Sequence, residues 1–97
     1  SSGKGCVQVL VMSKEIERMK TMILNDMDAG VTLLDGKSGF YGNETEVVLT
    51  ILPYRKLPDL KDKIKEIDEK AFIIVSHVEE VSGNGFTYSK EMREVLS

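Results

Sequence analysis

The chain has one cysteine and one histidine in 97 residues, and that scarcity removes several chemistries at once. Cys6 has no partner for an internal disulfide, so nothing in the sequence requires an oxidising compartment. In its apolar run it reads as a small buried hydrophobe. His77 has no second histidine or cysteine ligand near it, which leaves a metal site without a ligand set. Positive charge is also in short supply: 13 lysines and arginines face 16 aspartates and glutamates, a formal net charge of −3. A general nucleic-acid surface needs the opposite sign, because its affinity comes from displacing counterions around phosphates. Long hydrophobic runs are missing as well. The stretch Cys6 to Met12 is far too short to cross a bilayer, and no charged-then-apolar signal sequence opens the chain.

What is present is ordinary for a soluble domain: 41% hydrophobic and 30% charged residues, in a length suited to one core. The leading Ser-Ser-Gly-Lys-Gly, residues 1–5, reads as a flexible N-terminus or tag remnant, and residues 6–97 as a single domain. Cys6-Val-Gln-Val-Leu-Val-Met12 is nearly continuous in apolar character, as a strand buried on both faces would be. Ser13 is placed to cap a helix running to about Asp28, with Ile16, Met19, Ile23 and Met27 as its buried stripe and Gly30 as its stop. A strand from Val31 to Leu34 enters a glycine-rich loop, Asp35 to Asn43, and a third strand runs from Glu46 to Leu52. Pro58 opens a second helix with Leu57, Leu60, Ile64 and Ile67 inward. Ala71 to Val75 is a fourth strand, again read as buried on both faces, and Met92, Val95 and Leu96 edge a short C-terminal helix.

The order β-α-β-β-α-β predicts an α+β, ferredoxin-like sandwich: a four-stranded antiparallel sheet with both helices on one face. Apolar residues on both faces of the first and last strands predict that another subunit covers the open face. A homo-oligomer, dimer or trimer, follows.

Two glycine-punctuated loops are the candidates for chemistry. Gly36-Lys-Ser38 is the tail of a phosphate-binding P-loop, but Val31 stands where the first glycine belongs and no helix follows. A weaker anion-binding nest around Lys37, Gly39 and Gly42 remains, against a plain hairpin turn. Tyr41 and Phe40 offer rings to a base or a neighbouring subunit, against packing as the start of the third strand. Arg55 offers a guanidinium to a phosphate or carboxylate, against an exposed salt bridge. Gly83, Gly85 and Phe86 form a second turn that could line a cleft. Acid–base partners are missing, since Asp68-Glu69 and Glu79-Glu80 read as solvated charges and no Ser-His-Asp arrangement assembles. The sequence therefore predicts a non-catalytic domain with no cofactor.

Four motifs in order, Gly30-Val-Thr32, Gly39-Phe-Tyr41, Asp68-Glu-Lys-Ala-Phe72 and Glu80-Val-Ser-Gly-Asn-Gly-Phe86, resemble the C-terminal cytoplasmic domain of YitT-type bacterial membrane proteins, a domain of unknown function. The resemblance covers Val7 to Phe86. It implies transmembrane helices ahead of this domain and a place at the cytoplasmic face of the bacterial membrane. More distantly the chain is similar to PII (GlnB-like) signalling proteins, whose ferredoxin-like cores commonly form trimers with nucleotides between subunits. In that family a long loop between the second and third strands relays the signal; Lys37 to Asn43 holds that place here and is much shorter. The reading that results is a regulatory, ligand-sensing domain. It takes a small anionic ligand or nucleotide at a subunit boundary through Lys37, Gly39, Tyr41, Gly42, Arg55, Gly83, Gly85 and Phe86. A structural oligomerisation module without ligand is the alternative, and an enzyme uniting Asp68, His77 and Glu80 is a third.

Overall fold

Alternation along the first strand decides which way the whole sheet faces. In β1 (Cys6–Met12), Val7, Val9 and Val11 are fully buried while Cys6, Gln8, Leu10 and Met12 are only half-buried. The computed structural model describes residues 5–82, and Gly83, Gly85, Phe86 and the expected C-terminal helix lie outside them. After β1 come α1 (Ile16–Asp26), β2 (Thr32–Lys37), β3 (Glu44–Pro53), a 3-10 turn (Tyr54–Lys56), α2 (Leu57–Ile67) and β4 (Phe72–His77). The four strands form one antiparallel sheet in the order β2-β3-β1-β4. This is the ferredoxin-like arrangement that the element order predicts.

Both helices press on the face that carries the three valines. Ile16, Met19, Met22 and Ile23 of α1 and Leu57, Leu60 and Ile64 of α2 meet Val48 and Leu52 of β3 in one core. Each such side chain gains about 1.5–3 kcal/mol on burial, so the methionine stripe is packing rather than a binding groove. Thr50 is the buried polar residue of this core among the described residues; its hydroxyl donates to the Gly30 carbonyl at 2.7 Å and ties the α1–β2 connection to the sheet.

The local signals were partly misleading. α1 begins at Ile16, and Ser13 does not cap it. The Ser13 hydroxyl accepts from the Glu15 N–H at 2.9 Å and donates to Asp68 Oδ2 at 2.7 Å. The Ser13 oxygen accepts from an N–H that precedes the helix and so caps none of its first turn. The helix turns off at Asp28, which takes the left-handed conformation (φ 49°) two residues before Gly30, as aspartate can.

Among the described residues no helix lies on the opposite sheet face. Pairing registers place Thr32, Leu49, Leu10 and Ile74 side by side in one row, and Leu34, Val47, Met12 and Phe72 in the next. Ile51, Gln8 and Ser76 continue the surface on one side, Gly36 and Thr45 on the other. None of these positions carries a charge, in a chain that is 30% charged. The expectation that β1 and β4 are buried on both faces is therefore corrected. Among the described residues a single helix layer covers one face only, and β4 is an edge strand with Phe72 60% exposed.

Candidate functional site

β2 runs through Asp35-Gly-Lys37 as regular strand, so the loop shrinks to residues 38–43. The Ser38 N–H donates to the Asn43 carbonyl and the Gly42 N–H to the Ser38 carbonyl, both at 2.8 Å. Gly42 takes φ +72°, a conformation that costs glycine little and other residues more. The turn presents Phe40 and Tyr41, 87% and 76% exposed, as an edge-to-face pair with centroids 4.8 Å apart. At its base a groove of about 420 Å³ is lined by Asp35, Gly36, Lys37, Glu44 and Thr45. Two carboxylates and one ammonium give this groove a negative balance, which works against an anion seated beside Lys37.

Arg55 lies at the other end of the sheet. Lys37 pairs with Glu44 at the first residue of β3, whereas Arg55 follows Pro53 at its last. At about 3.3 Å per residue the strand separates them by roughly 30 Å. Lys37, Gly39, Tyr41 and Gly42 are thus brought together, and Arg55 is not among them within one chain. Beside Arg55, the Tyr54 ring stacks on His77 at 6.0 Å, and the Tyr54 N–H donates to the Gly5 carbonyl at 2.7 Å. His77 and Asp68 flank opposite ends of β4, so they do not form an acid–base pair.

Asp68 has a structural task instead. Its carboxylate accepts from Ser13 Oγ and, at 2.9 Å, from the Lys70 N–H. The Ser13 hydroxyl, then the Lys70 amide, with Lys14 and Lys65 nearby, hold its pKa below the ordinary carboxylate range. A lowered folded pKa stabilises the fold above the unfolded value of about 3.9, and that contribution is lost as pH falls through the folded pKa. Asp68→Asn is therefore expected to lower the urea midpoint at neutral pH and to flatten its fall below about pH 4. Urea titrations of both proteins at a series of acidic pH values check this; an unchanged slope would remove Asp68 as the cause.

Apolar residues at both parities of β1 and β4 announce an open face in the sequence, whereas its lack of charge and the contribution of β3 (Val47, Leu49, Ile51) emerge from the registers.

A four-stranded antiparallel sheet in this order, with two helices on one face, makes the chain a ferredoxin-like α+β domain. The family described as "Uncharacterized protein conserved in bacteria (DUF2179)" matches residues 29–83, more than half of the chain, and the chain belongs to that family. It is 35% identical over 77 residues to the UPF0750 membrane protein YpjC of Bacillus subtilis, covering 79% of this chain and 27% of that protein. Identity to the UPF0750 membrane protein YitT of the same organism is 29% over 63 residues, covering 65% of this chain and 22% of that protein. The YitT-type resemblance is thus borne out. The chain spans between about a quarter and a half of the length of the curated relatives it matches. A crystal structure of the DUF2179 protein from Eubacterium ventriosum superposes with a TM-score of 0.65 at 31% identity, covering 73% of this chain and 97% of that one. A functionally unknown protein from Pediococcus pentosaceus shares the fold, with a TM-score of 0.66 at 15% identity, covering 81% of this chain and 95% of that one. No helix among the described residues is long and apolar enough to cross a membrane.

Proposed function

We propose that this domain is a non-catalytic regulatory module of a bacterial membrane protein, held at the cytoplasmic face and working by self-association through its open sheet face. The observation that carries the reading is the pair of registered apolar rows without a charge (Thr32, Leu49, Leu10, Ile74 and Leu34, Val47, Met12, Phe72). Contiguous exposed apolar surface on this scale marks an interaction site. The membrane-protein relatives support the setting. Asp68, held by Ser13 and Lys70 and a strand's length from His77, supports a role without catalysis.

Regulation in this reading is the uptake of a small anionic ligand or nucleotide between copies, since only neighbouring copies can bring a Lys37 and an Arg55 together. Light scattering of the chain is expected to give a dimer or trimer, and a clean monomer at high concentration would overturn the reading. A thermal-shift panel of adenine and guanine nucleotides, cyclic dinucleotides included, tests the regulatory part. Stabilisation that disappears in Arg55→Ala supports ligand uptake. No shift across the panel leaves a structural oligomerisation module, the alternative role.

A further inference from the structure

We infer that the β2–β3 hairpin is an arm that grips a second copy of this chain: the Phe40–Tyr41 tip of one copy fills the notch at Gly36 of the next. The inference rests on self-association through the open face and says which element completes it.

Gly36 is the first observation. It sits in the middle of a regular strand, where glycine weakens the sheet and leaves no side chain to pack. Its φ is not in the left-handed region, and a Cβ there would meet only Thr45 Cγ2 at 3.7 Å and the Thr45 carbonyl at 4.0 Å, ordinary contacts. Nothing among the described residues requires glycine at this position, and a strand position without a side chain leaves room for close approach from outside.

The tip is the second. Two rings held edge to face on a turn closed by two backbone bonds are presented to solvent, not tucked onto the body. Ordering them in advance lowers the entropic cost of docking.

Size and chemistry commit the occupant to a second copy. At about 3.3 Å per residue and 4.8 Å between strands, the sheet is roughly 450 Å² in plan. A standard interface takes about 800 Å² from each partner. Two aromatic rings, each able to bury on the order of 150 Å² or more, close most of that gap. The arm is also continuous with the open face, because Gly36 and Thr45 extend its uncharged rows. On the open face the missing side chain of Gly36 leaves a gap between Leu34 and Thr45, its cross-strand partner, while the Asp35 and Lys37 side chains alternate to the other face. An uncharged gap of this kind suits an aromatic ring.

The test separates the arm from the face. Gly36→Val should leave the melting temperature of the isolated copy unchanged or raised, since valine favours strand, yet weaken self-association at least tenfold by sedimentation. Phe40→Ser with Tyr41→Ser should weaken it comparably. Two Cys6→Ser proteins, one carrying Gly36→Cys and the other Tyr41→Cys, should form a mixed disulfide on oxidation, identified by mass. If Leu49→Asp dissociates the assembly while the arm variants leave it intact and the mixed disulfide does not form, the face reading stands and the arm is overturned. A monomeric parent protein overturns both. If the tip variants lose binding to phosphatidylglycerol–phosphatidylcholine vesicles with association unchanged, the partner of the tip is a membrane and the inference fails.

Discussion

Leu49→Asp is expected to convert the assembled protein to monomers while leaving the single chain folded. Leu49 lies on β3, between Thr32 and Leu10 in the open-face row, and is half-buried in the isolated chain. A carboxylate there still reaches water in a single copy, so the monomer loses strand preference and part of the Leu49 burial, together about 1–2 kcal/mol. In the assembled state the same carboxylate is enclosed by apolar side chains without a partner. Every copy brings one, so the penalty is repeated and like charges draw close. Stranding an unpaired charge costs several kcal/mol, and even about 2.7 kcal/mol weakens association about 100-fold. Sedimentation velocity across a dilution series reads the shift, and circular dichroism reports that the monomer remains folded. An unchanged oligomer would remove the open face as the contact surface.

Leu60→Ala acts on the other side of the sheet and should show the largest loss of stability. Leu60 is fully buried on α2, in the core that α1, α2 and the sheet share. Truncation removes transfer free energy and leaves a cavity, together about 3 kcal/mol. Net stability for a chain of this length is about 5–15 kcal/mol. At about 4–8 °C per kcal/mol, melting should fall by roughly 12–24 °C. Self-association adds a further signature, because any partner that binds only the folded state raises apparent stability by mass action. The parent and variant melting temperatures should therefore rise together as protein concentration rises. Melting temperatures that ignore concentration would point to a protein that melts as a monomer.

These two residues also mark what could be read in advance. Leu60 recurs with Leu57 and Ile64 at helical spacing, and the valines of β1 alternate, so helix stripes, strand identities and the ferredoxin-like order were legible. Boundaries near glycine were not. Gly36 reads as loop but sits in strand, because pairing with Thr45 overrides its weak preference. Asp28 rather than Gly30 turns the chain after α1, since an aspartate in the left-handed conformation needs no glycine. Within the candidate site, Lys37, Gly39, Tyr41 and Gly42 are close in sequence and therefore close in space. Arg55 is parted from them by the length of β3, a separation that the expected strand between them already implied.

The Gly5 carbonyl holds Tyr54, and the Cys6 carbonyl accepts from the Val78 N–H at 3.3 Å, so the backbone enters β1 and leaves β4 at the same pole of a body 43 Å long. The hairpin tip occupies the opposite pole. In the proposed membrane setting a tether at the first pole would make the body a lever, turning a few degrees of swing there into ångströms of travel at the rings. Copies moored side by side would also meet at an effective concentration set by the tether, not by dilution. A contact too weak to persist between free chains would then be enough to register how such moorings tilt or crowd.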